Sequence, residues 1–526
     1  MSNLKNARFI FNNPRRVSIL FILFSLIFFS SIFLFYSLLS DDDYIRNNQN
    51  IWGEPRITFF WQGCNTTFVM SWDDAHSSDI NLAPIDEKLG ISHTIFSPSY
   101  RSYPNRSFWR FAFLLDELFQ GYDVQSHCGR HVPLSGKSPE EQEYLIRWGK
   151  TGIEELFCYT PIVFAYPYGV TGGVEYVEKY FDLGRTNKGG GVLWPPDNWY
   201  EAGTTIAPHG IHDDNIHRLI DIMKKIYRTT GYQVFKGYGH TNTLGKNNSV
   251  TNFINYREIF SQIANWPDVW YTSWGELVAY EKEKKNVTLS EVTYSEDKIE
   301  FYVSVPSFNT NIYKVPLTVA ILIPKSWKNP FPQINGKYTS RFSLKHYADS
   351  TELYLDVLPL KDPRKVVIWR NVSEIDSNPP EISNFVVETK EVTQNWDLNN
   401  PETLKFTFMR FDVTDELSNV YNVNASVHLK NGDEIIFSNM KNPIFWKNST
   451  YGRVVWDSTI FNIDVHQVEE RDIEYVIITV QDDFGNTRQC MIFPTGSQIE
   501  NVFSGGQYLL RMPDKKRSSV NQLSPA

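Results

Sequence analysis

The hydrophobic period of this chain changes near residue 286. Before that point, apolar runs of strand length, such as FVMSW (68–72), alternate with segments of helical period, such as HDDNIHRLIDIMKKIY (212–227). After it, KIEFYVSV (298–305) and further strand-length runs follow without helical segments between them. Alternating strands and helices are typical of parallel βα units, and strands alone are typical of antiparallel sandwiches. The pattern therefore predicts an α/β domain over 57–286, either an open sheet or a barrel, and two all-β sandwiches after it.

The two predicted sandwiches are divided at SNPPE (377–381), whose prolines and polar residues are typical of a linker. We expect one β-sandwich domain over 287–376 and a second, immunoglobulin- or fibronectin-like, over 377–500. The last stretch, 501–526, is polar and has no apolar period, so we expect a flexible tail.

An uncharged apolar run extends from Val17 to Leu39. As a helix at about 1.5 Å per residue it spans roughly 34 Å, which is enough to cross a hydrocarbon core of about 30 Å. A secretory signal is the alternative, but its apolar core is usually about 7 to 15 residues long and ends in small residues. Basic residues precede the run and three aspartates follow it, which predicts a cytoplasmic tail (1–16) and a single transmembrane anchor (17–39) in the cell membrane. A polar linker (40–56) and everything beyond it would then lie outside the cell.

Composition excludes some classes of protein. The net charge is −9 and no long basic run is present, so we expect no nucleic-acid partner. Only four cysteines occur, which excludes a disulfide-rich scaffold and a CxxC zinc site. A Cys64–Cys158 disulfide in an oxidising compartment stays open.

Three groups of polar residues follow predicted strands of the α/β domain: Asp73-Asp74, the pair His127 and His131, and His240. Two histidines four residues apart, completed by a carboxylate, can bind a divalent metal ion and leave one position for water. Each group alone is weak, because such aspartate pairs are mostly caps or turns and a lone histidine is mostly structural. Only the combination favours a site.

The order and spacing of these groups resemble the polysaccharide deacetylases, the NodB-homology domain of carbohydrate esterase family 4. The resemblance covers roughly 57–285 and rests on five stretches: SWDDA (71–75), GYDVQSHCGRH (121–131), FAYPYG (164–169), the strand that ends at His240, and VWYTSWGELVAYEK (269–282). It implies that the α/β domain is a distorted (β/α) barrel.

The resemblance also implies a role for each matching residue. The metal ligands, most often for zinc, would be Asp74, His127 and His131. Asp73 would be the general base, the Tyr168 backbone N–H would stabilise the oxyanion, and His240 would protonate the departing amine.

Three departures from the family pattern accompany this match. Ala165 stands where many members have the arginine that orients the base. Either Asp73 is held by another cation, for which Arg185 is our candidate, or it acts less efficiently. Thr241 stands where an aspartate is frequent after the histidine. The Asp-and-Trp motif has no clear match, since Trp199 fits loop packing equally well, and His209 is a rival for the acid role.

The sequence thus predicts a membrane-anchored, outward-facing, metal-dependent hydrolase that removes N-acetyl groups from a polysaccharide substrate. An O-acetyl esterase with the same site, and a catalytically degenerate glycan-binding or adhesion protein, are the alternatives. The sandwiches would be spacers or glycan-contacting modules. Their acidic residues Asp412, Asp415, Asp482 and Asp483 are interpreted as turn residues in preference to calcium ligands.

Overall fold

A computed structural model describes residues 53–503 apart from these gaps: 103–109, 111–113, 115–117, 119–121, 158, 207–215, 244–252, 265, 307–311, 314, 328, 372–375, 377, 395–401, 419, 438–459, 467–469 and 494–497. The predicted tail and anchor (1–39), Cys158 and His209 lie outside the described residues, and so does 504–526. Among the helices that are described, none is both long and apolar enough to cross a membrane.

The first strand, β1 (Arg56–Ile57), pairs outside the α/β domain, and the eight strands after it form one parallel sheet. These are β2 (Thr66–Asp73), β3 (His93–Ser97), β4 (Asp123–Ser126), β5 (Val163–Ala165), β6 (Leu183–Gly189), β7 (Ala202–Thr204), β8 (Gln233–Lys236) and β9 (Val269–Thr272). Their order is β7-β6-β5-β4-β3-β2-β8, and β9 also pairs with β2. Thr205 N donates to Lys236 O at 2.9 Å, which joins the edges near β7 and β8. The sheet is therefore a nearly closed barrel, one of the two arrangements predicted.

Helices lie between the barrel strands. Those described are α1 (Ala83–Leu89), α2 (Ser99–Ser102), α3 (Pro139–Phe157), α4 (Val174–Tyr180), α5 (Ile216–Tyr227), α6 (Phe253–Ser261) and α7 (Trp274–Asn286). Helix α3 begins at Pro139, and the backbone N–H of Glu141 donates to Ser138 Oγ at 3.3 Å. Proline suits a first helical position because its missing N–H would have no intrahelical partner there.

All-β sheets follow the barrel, as predicted. The first set of strands is β10 (Thr288–Tyr294), β11 (Lys298–Ser304), β12 (Leu317–Pro324), β13 (Phe331–Ile334), β14 (Lys337–Tyr338), β15 (Phe342–His346), β16 (Ser350–Val357) and β17 (Arg364–Trp369). They form the sheets β1-β12-β16-β15 and β10-β11-β17-β13-β14, which share one apolar core. The strict alternation of β11 is confirmed, since Ile299, Phe301 and Val303 are fully buried in that core.

A second set of strands completes the described chain: β18 (Glu381–Gln394), β19 (Glu402–Thr414), β20 (Val420–Leu429), β21 (Glu434–Phe437), β22 (Ile460–His466), β23 (Ile473–Asp482), β24 (Thr487–Ile492) and β25 (Gln498–Phe503). Their sheets, β18-β19-β22 and β21-β20-β23-β24-β25, also enclose a common core.

The barrel and the first all-β set share buried polar contacts. Asp356 on β16 is 2% exposed and accepts hydrogen bonds from Trp61 Nε1 at 2.8 Å and from Thr318 Oγ1. Burial raises the pKa of Asp356 to about 7, although these donors act in the opposite direction. β1, which precedes the barrel, pairs with β12 and so adds a second connection.

Candidate metal centre

The carboxyl ends of the parallel strands bring three predicted side chains together. Asp74 follows β2 directly and His127 follows β4, so both stand at the same end of the barrel. The Nε2 atoms of His131 and His127 lie 3.2 and 3.7 Å from Asp74 Oδ1. One possible ligand atom from each of the three residues lies within 4.8 Å of the others.

His127 is oriented by a backbone carbonyl. Its Nδ1 is 2.9 Å from Ala165 O, and because a carbonyl only accepts, Nδ1 carries the proton and Nε2 presents its lone pair to Asp74. Burial lowers the pKa of His127 to about 4, despite the opposing charges of Asp73 and Asp74. Burial also lowers the pKa of His131. Both imidazoles are therefore neutral at pH 7, which is the form that binds a metal ion.

Asp74 has a buried oxygen that fits a cation. The residue lies in the left-handed backbone region, at φ 77°, in the turn after β2. Its Oδ1 has no hydrogen-bond partner among the described residues. Burial raises the pKa of Asp74, but His76 and the other nearby histidines outweigh it and hold the pKa below its ordinary value. Two neutral imidazoles and one carboxylate with an unsatisfied oxygen are a suitable ligand set for Zn²⁺ or a similar divalent ion.

Asp73 is paired with Arg185, the substitute cation that we predicted. Asp73 is 4% exposed and Arg185 is 1% exposed, and Arg185 Nη2 donates to Asp73 Oδ1. Ala165 on β5 is directly opposite Arg185 on β6, so the guanidinium comes from the strand next to the family position. Burial raises the pKa of Asp73, but Arg185 and the nearby His127 and His240 hold it below its ordinary value. Asp73 is therefore ionised at neutral pH.

His240 and the exposed Tyr168 stand around the three candidate ligands. His240 Nε2 is 3.8 Å from Asp74 Oδ2, and its side chain is 33% exposed. The ring of Tyr168 lies 4.5 Å from that of His131, and the residue adopts φ 58° in the turn after β5. Thr241, which follows His240 where the family often has an aspartate, has a structural contact. Its hydroxyl donates a hydrogen bond to the fully buried Asp79.

Two charged or ionisable neighbours were not singled out from the sequence. His76 Nε2 is 3.5 Å from Asp74 Oδ2, and Arg101 Nη1 is 3.7 Å from Asp74 Oδ1. The position of His76, two residues after Asp74, was the available signal for it. Arg101 belongs to none of the sequence motifs. It lies on α2, and only the folded position of that helix brings it close to Asp74.

Cys128 and Trp199 have structural contacts. Cys128 is fully buried at φ 73°, and its Sγ donates to Leu145 O at 3.6 Å. Burial raises the pKa of this thiol to about 12, so it stays protonated. Trp199 packs against Trp194, with ring centroids 5.5 Å apart, and against Lys285 of α7, which fits the loop-packing alternative.

Solved structures of other proteins are similar to part of this chain. No protein-family model and no curated protein matches the chain. Among solved structures, a protein of the polysaccharide deacetylase type from Mycobacterium smegmatis matches with 14% identity and a TM-score of 0.33, over 46% of this chain and 98% of its own. A family 4 carbohydrate esterase from Streptomyces lividans has 17% identity and a TM-score of 0.28, over 39% and 92%. The peptidoglycan deacetylase PdaC from Bacillus subtilis has 16% identity and a TM-score of 0.28, over 42% and 94%. These three solved structures are thus described as deacetylases or as a carbohydrate esterase.

Proposed function

We propose that the chain is a metal-dependent hydrolase that removes N-acetyl groups from a polysaccharide. The observation that carries this proposal is the convergence of Asp74, His127 and His131, together with the buried Oδ1 of Asp74, which has no hydrogen-bond partner among the described residues. A divalent ion bound by these three residues, most often zinc in such ligand sets, would activate water and polarise an acetyl carbonyl.

The chain's own residues would then divide the remaining work. Asp73, ionised and fixed by Arg185, would accept the proton of the attacking water. The backbone N–H of Tyr168 would donate to the developing oxyanion. His240 follows β8, its Nε2 lies 3.8 Å from Asp74 Oδ2 and its side chain is 33% exposed, so it would protonate the departing amine.

The placement of this site in the cell is part of the same proposal. The apolar run 17–39 would anchor the chain in the cell membrane, with residues after 40 outside. The two all-β sets, which we take to be immunoglobulin-like sandwiches, would carry the barrel away from the membrane or contact glycan.

Acetate release from the detergent-solubilised full chain tests the proposal. The substrates are an N-acetylated chitooligosaccharide, peptidoglycan and acetylated xylan, and the metal content is measured on the same samples. We expect release from an N-acetylated substrate, about one bound divalent ion, and losses of at least about 100-fold in D73N and H127A. H127A would also lose the metal, whereas D73N would keep it.

His346→Ala is the matched control, because His346 lies on β15 and contacts Thr351 at 3.0 Å. It should retain both activity and metal. Release from acetylated xylan alone would favour the O-acetyl esterase. An inactive wild type, or metal retained equally by H127A and wild type, would contradict the proposal.

A further inference from the structure

A second cluster of carboxylates lies far along the chain from the barrel site. Asp376 precedes β18, Asp415 follows β19 directly, and Asp482 ends β23. One carboxylate oxygen from each residue lies within 4.8 Å of the others. Asp482, which the sequence analysis interpreted as a turn residue, is 1% exposed, and Asp376, which it did not consider, is 3% exposed.

Neutral groups hold each carboxylate in place. Asp376 Oδ1 accepts from the backbone N–H of Asn378 at 3.0 Å, and Asp415 Oδ1 accepts from that of Ser418 at 2.7 Å. Asp482 Oδ2 accepts from Asn486 Nδ2 at 2.7 Å. The same amide nitrogen donates to the backbone carbonyl of Asp376 at 3.1 Å, which ties the first and third residues together.

The arrangement leaves negative charge that the described residues do not compensate. Asp376 Oδ2 is buried and has no hydrogen-bond partner among them. Within the described part of the chain, none of the three carboxylates forms an ion pair with a lysine or arginine side chain. The nearby Lys337 Nζ donates to the backbone carbonyl of Asp415 and not to its carboxylate. Buried like charges at this separation repel strongly, and a cation among them removes the repulsion.

We propose that Asp376, Asp415 and Asp482 bind a calcium ion. The ligands are all oxygen atoms, which excludes a preference for softer metals. Carboxylates can bind through one or both oxygens, which suits the six to eight ligands of Ca²⁺ better than the strict octahedron of Mg²⁺.

The calcium site lies at the contact between the two all-β sets. The backbone N–H of Tyr338 on β14 donates to Leu417 O at 2.9 Å, in the loop that begins with Asp415. The ring of Phe484, in the loop after Asp482, stacks on Phe331 of β13 with centroids 5.3 Å apart. Asp376 lies in the segment that joins the two sets. Bound calcium would therefore fix both contacting loops and the connecting segment at once.

Calcium titration of the full chain after chelator treatment tests this inference. Isothermal calorimetry should show one Ca²⁺ per chain with a Kd between about 10⁻⁶ and 10⁻³ M, and CaCl₂ should raise the Tm. D376N and D415N should each weaken binding at least tenfold and lose the Tm increase. Asp433→Asn, an exposed acid at the turn between β20 and β21, is the matched control and should bind as the wild type does.

The inference does not depend on the barrel site, and H127A separates the two. Calcium binding that persists in H127A supports the inference whether or not the chain is a deacetylase. Binding lost in H127A would assign the calcium to the barrel and overturn the inference. Absence of binding up to about 10 mM CaCl₂, or equal binding by D376N and D433N, would overturn it as well.

Discussion

Replacement of Arg185 by methionine takes the guanidinium away from the Asp73 carboxylate and keeps much of the side-chain volume. Both residues are almost fully buried, and Arg185 also lies over the ring of Phe96, with Cζ 4.7 Å from its centroid. Loss of one partner of a buried ion pair costs about 3–5 kcal/mol, because the other charge is left without compensation. Asp73 can avoid that cost by binding a proton, but a protonated Asp73 cannot accept one from water.

The pH profile of kcat/KM for acetate release measures this effect. In the wild type the pKa of Asp73 is below its ordinary value, so Asp73 stays ionised as the pH falls. In R185M the acidic limb should move to higher pH. If most of about 3 kcal/mol appears as lost ionisation, kcat/KM at the acidic limb falls on the order of 100-fold, because 1.4 kcal/mol corresponds to tenfold. The loss should shrink at high pH.

Two further variants separate the charge from its position. Lys236 is a second buried cation, 1% exposed, and its Nζ donates to Gly190 O at 3.2 Å, so K236M is the matched control. K236M should leave the acidic limb in place. The double variant R185M/A165R returns an arginine to the adjacent strand and should move the limb back toward its wild-type position. An acidic limb in R185M that coincides with that of the wild type would refute the reasoning.

Three other positions give predictions of different kinds. A Cβ at Gly149 would lie 2.6 Å from Ser126 Oγ and 2.8 Å from the backbone carbon of Cys128, so G149A should displace the loop after β4 and lower acetate release at least about tenfold. A folded G149A, judged by circular dichroism, with full activity would contradict this. C128S should keep metal and activity within about threefold, and the wild-type thiol, with its pKa of about 12, should resist iodoacetamide at pH 8. Loss of metal in C128S would instead make Cys128 a ligand. The raised pKa of Asp356, about 7, means that its stabilising contribution is fully present below about pH 4 and is lost as the pH rises through 7. Urea unfolding should therefore show the wild type losing stability relative to D356N between about pH 4 and 7, by up to about 1.4 kcal/mol per unit, and parallel pH dependences would refute it.

The parallel βα domain and its strand-end residues were predictable because they depend on local patterns. Hydrophobic period locates the strands, and parallel strands place their carboxyl ends at the same edge, so Asp74 and His127 were expected at one end of the sheet. Pairing between distant segments has no such signal. Arg56 on β1 pairs with Ala320 on β12, more than 250 residues later in the chain. The hydrophobic pattern around Arg56 does not indicate this pairing.

The carboxylate cluster illustrates the same limit. Asp415 and Asp482 were recognised as acidic residues at strand ends, but Asp376 was not considered with them. Its position in the cluster involves a contact with a residue more than 100 positions later, the hydrogen bond from the Asn486 amide to the Asp376 backbone carbonyl. Isolated acidic residues at strand ends are expected to lie in solvated turns. Asp376 and Asp482 differ from that expectation because they are buried.

The departures at Ala165 and Thr241 motivated the alternative of a catalytically degenerate glycan-binding protein. If Asp73 is the base, as we propose, a cation in contact with its carboxylate keeps it ionised, and that cation need not come from one particular strand. Neighbouring strands are about 4.8 Å apart, and an arginine side chain extends further than that, so either strand can supply the group. Arg185 does so from β6, and Thr241 reaches the carboxylate of Asp79. Asp73 thus has a cation although position 165 is alanine, and Thr241 has a carboxylate partner although it is not an aspartate. The two departures therefore no longer favour a site without catalytic function.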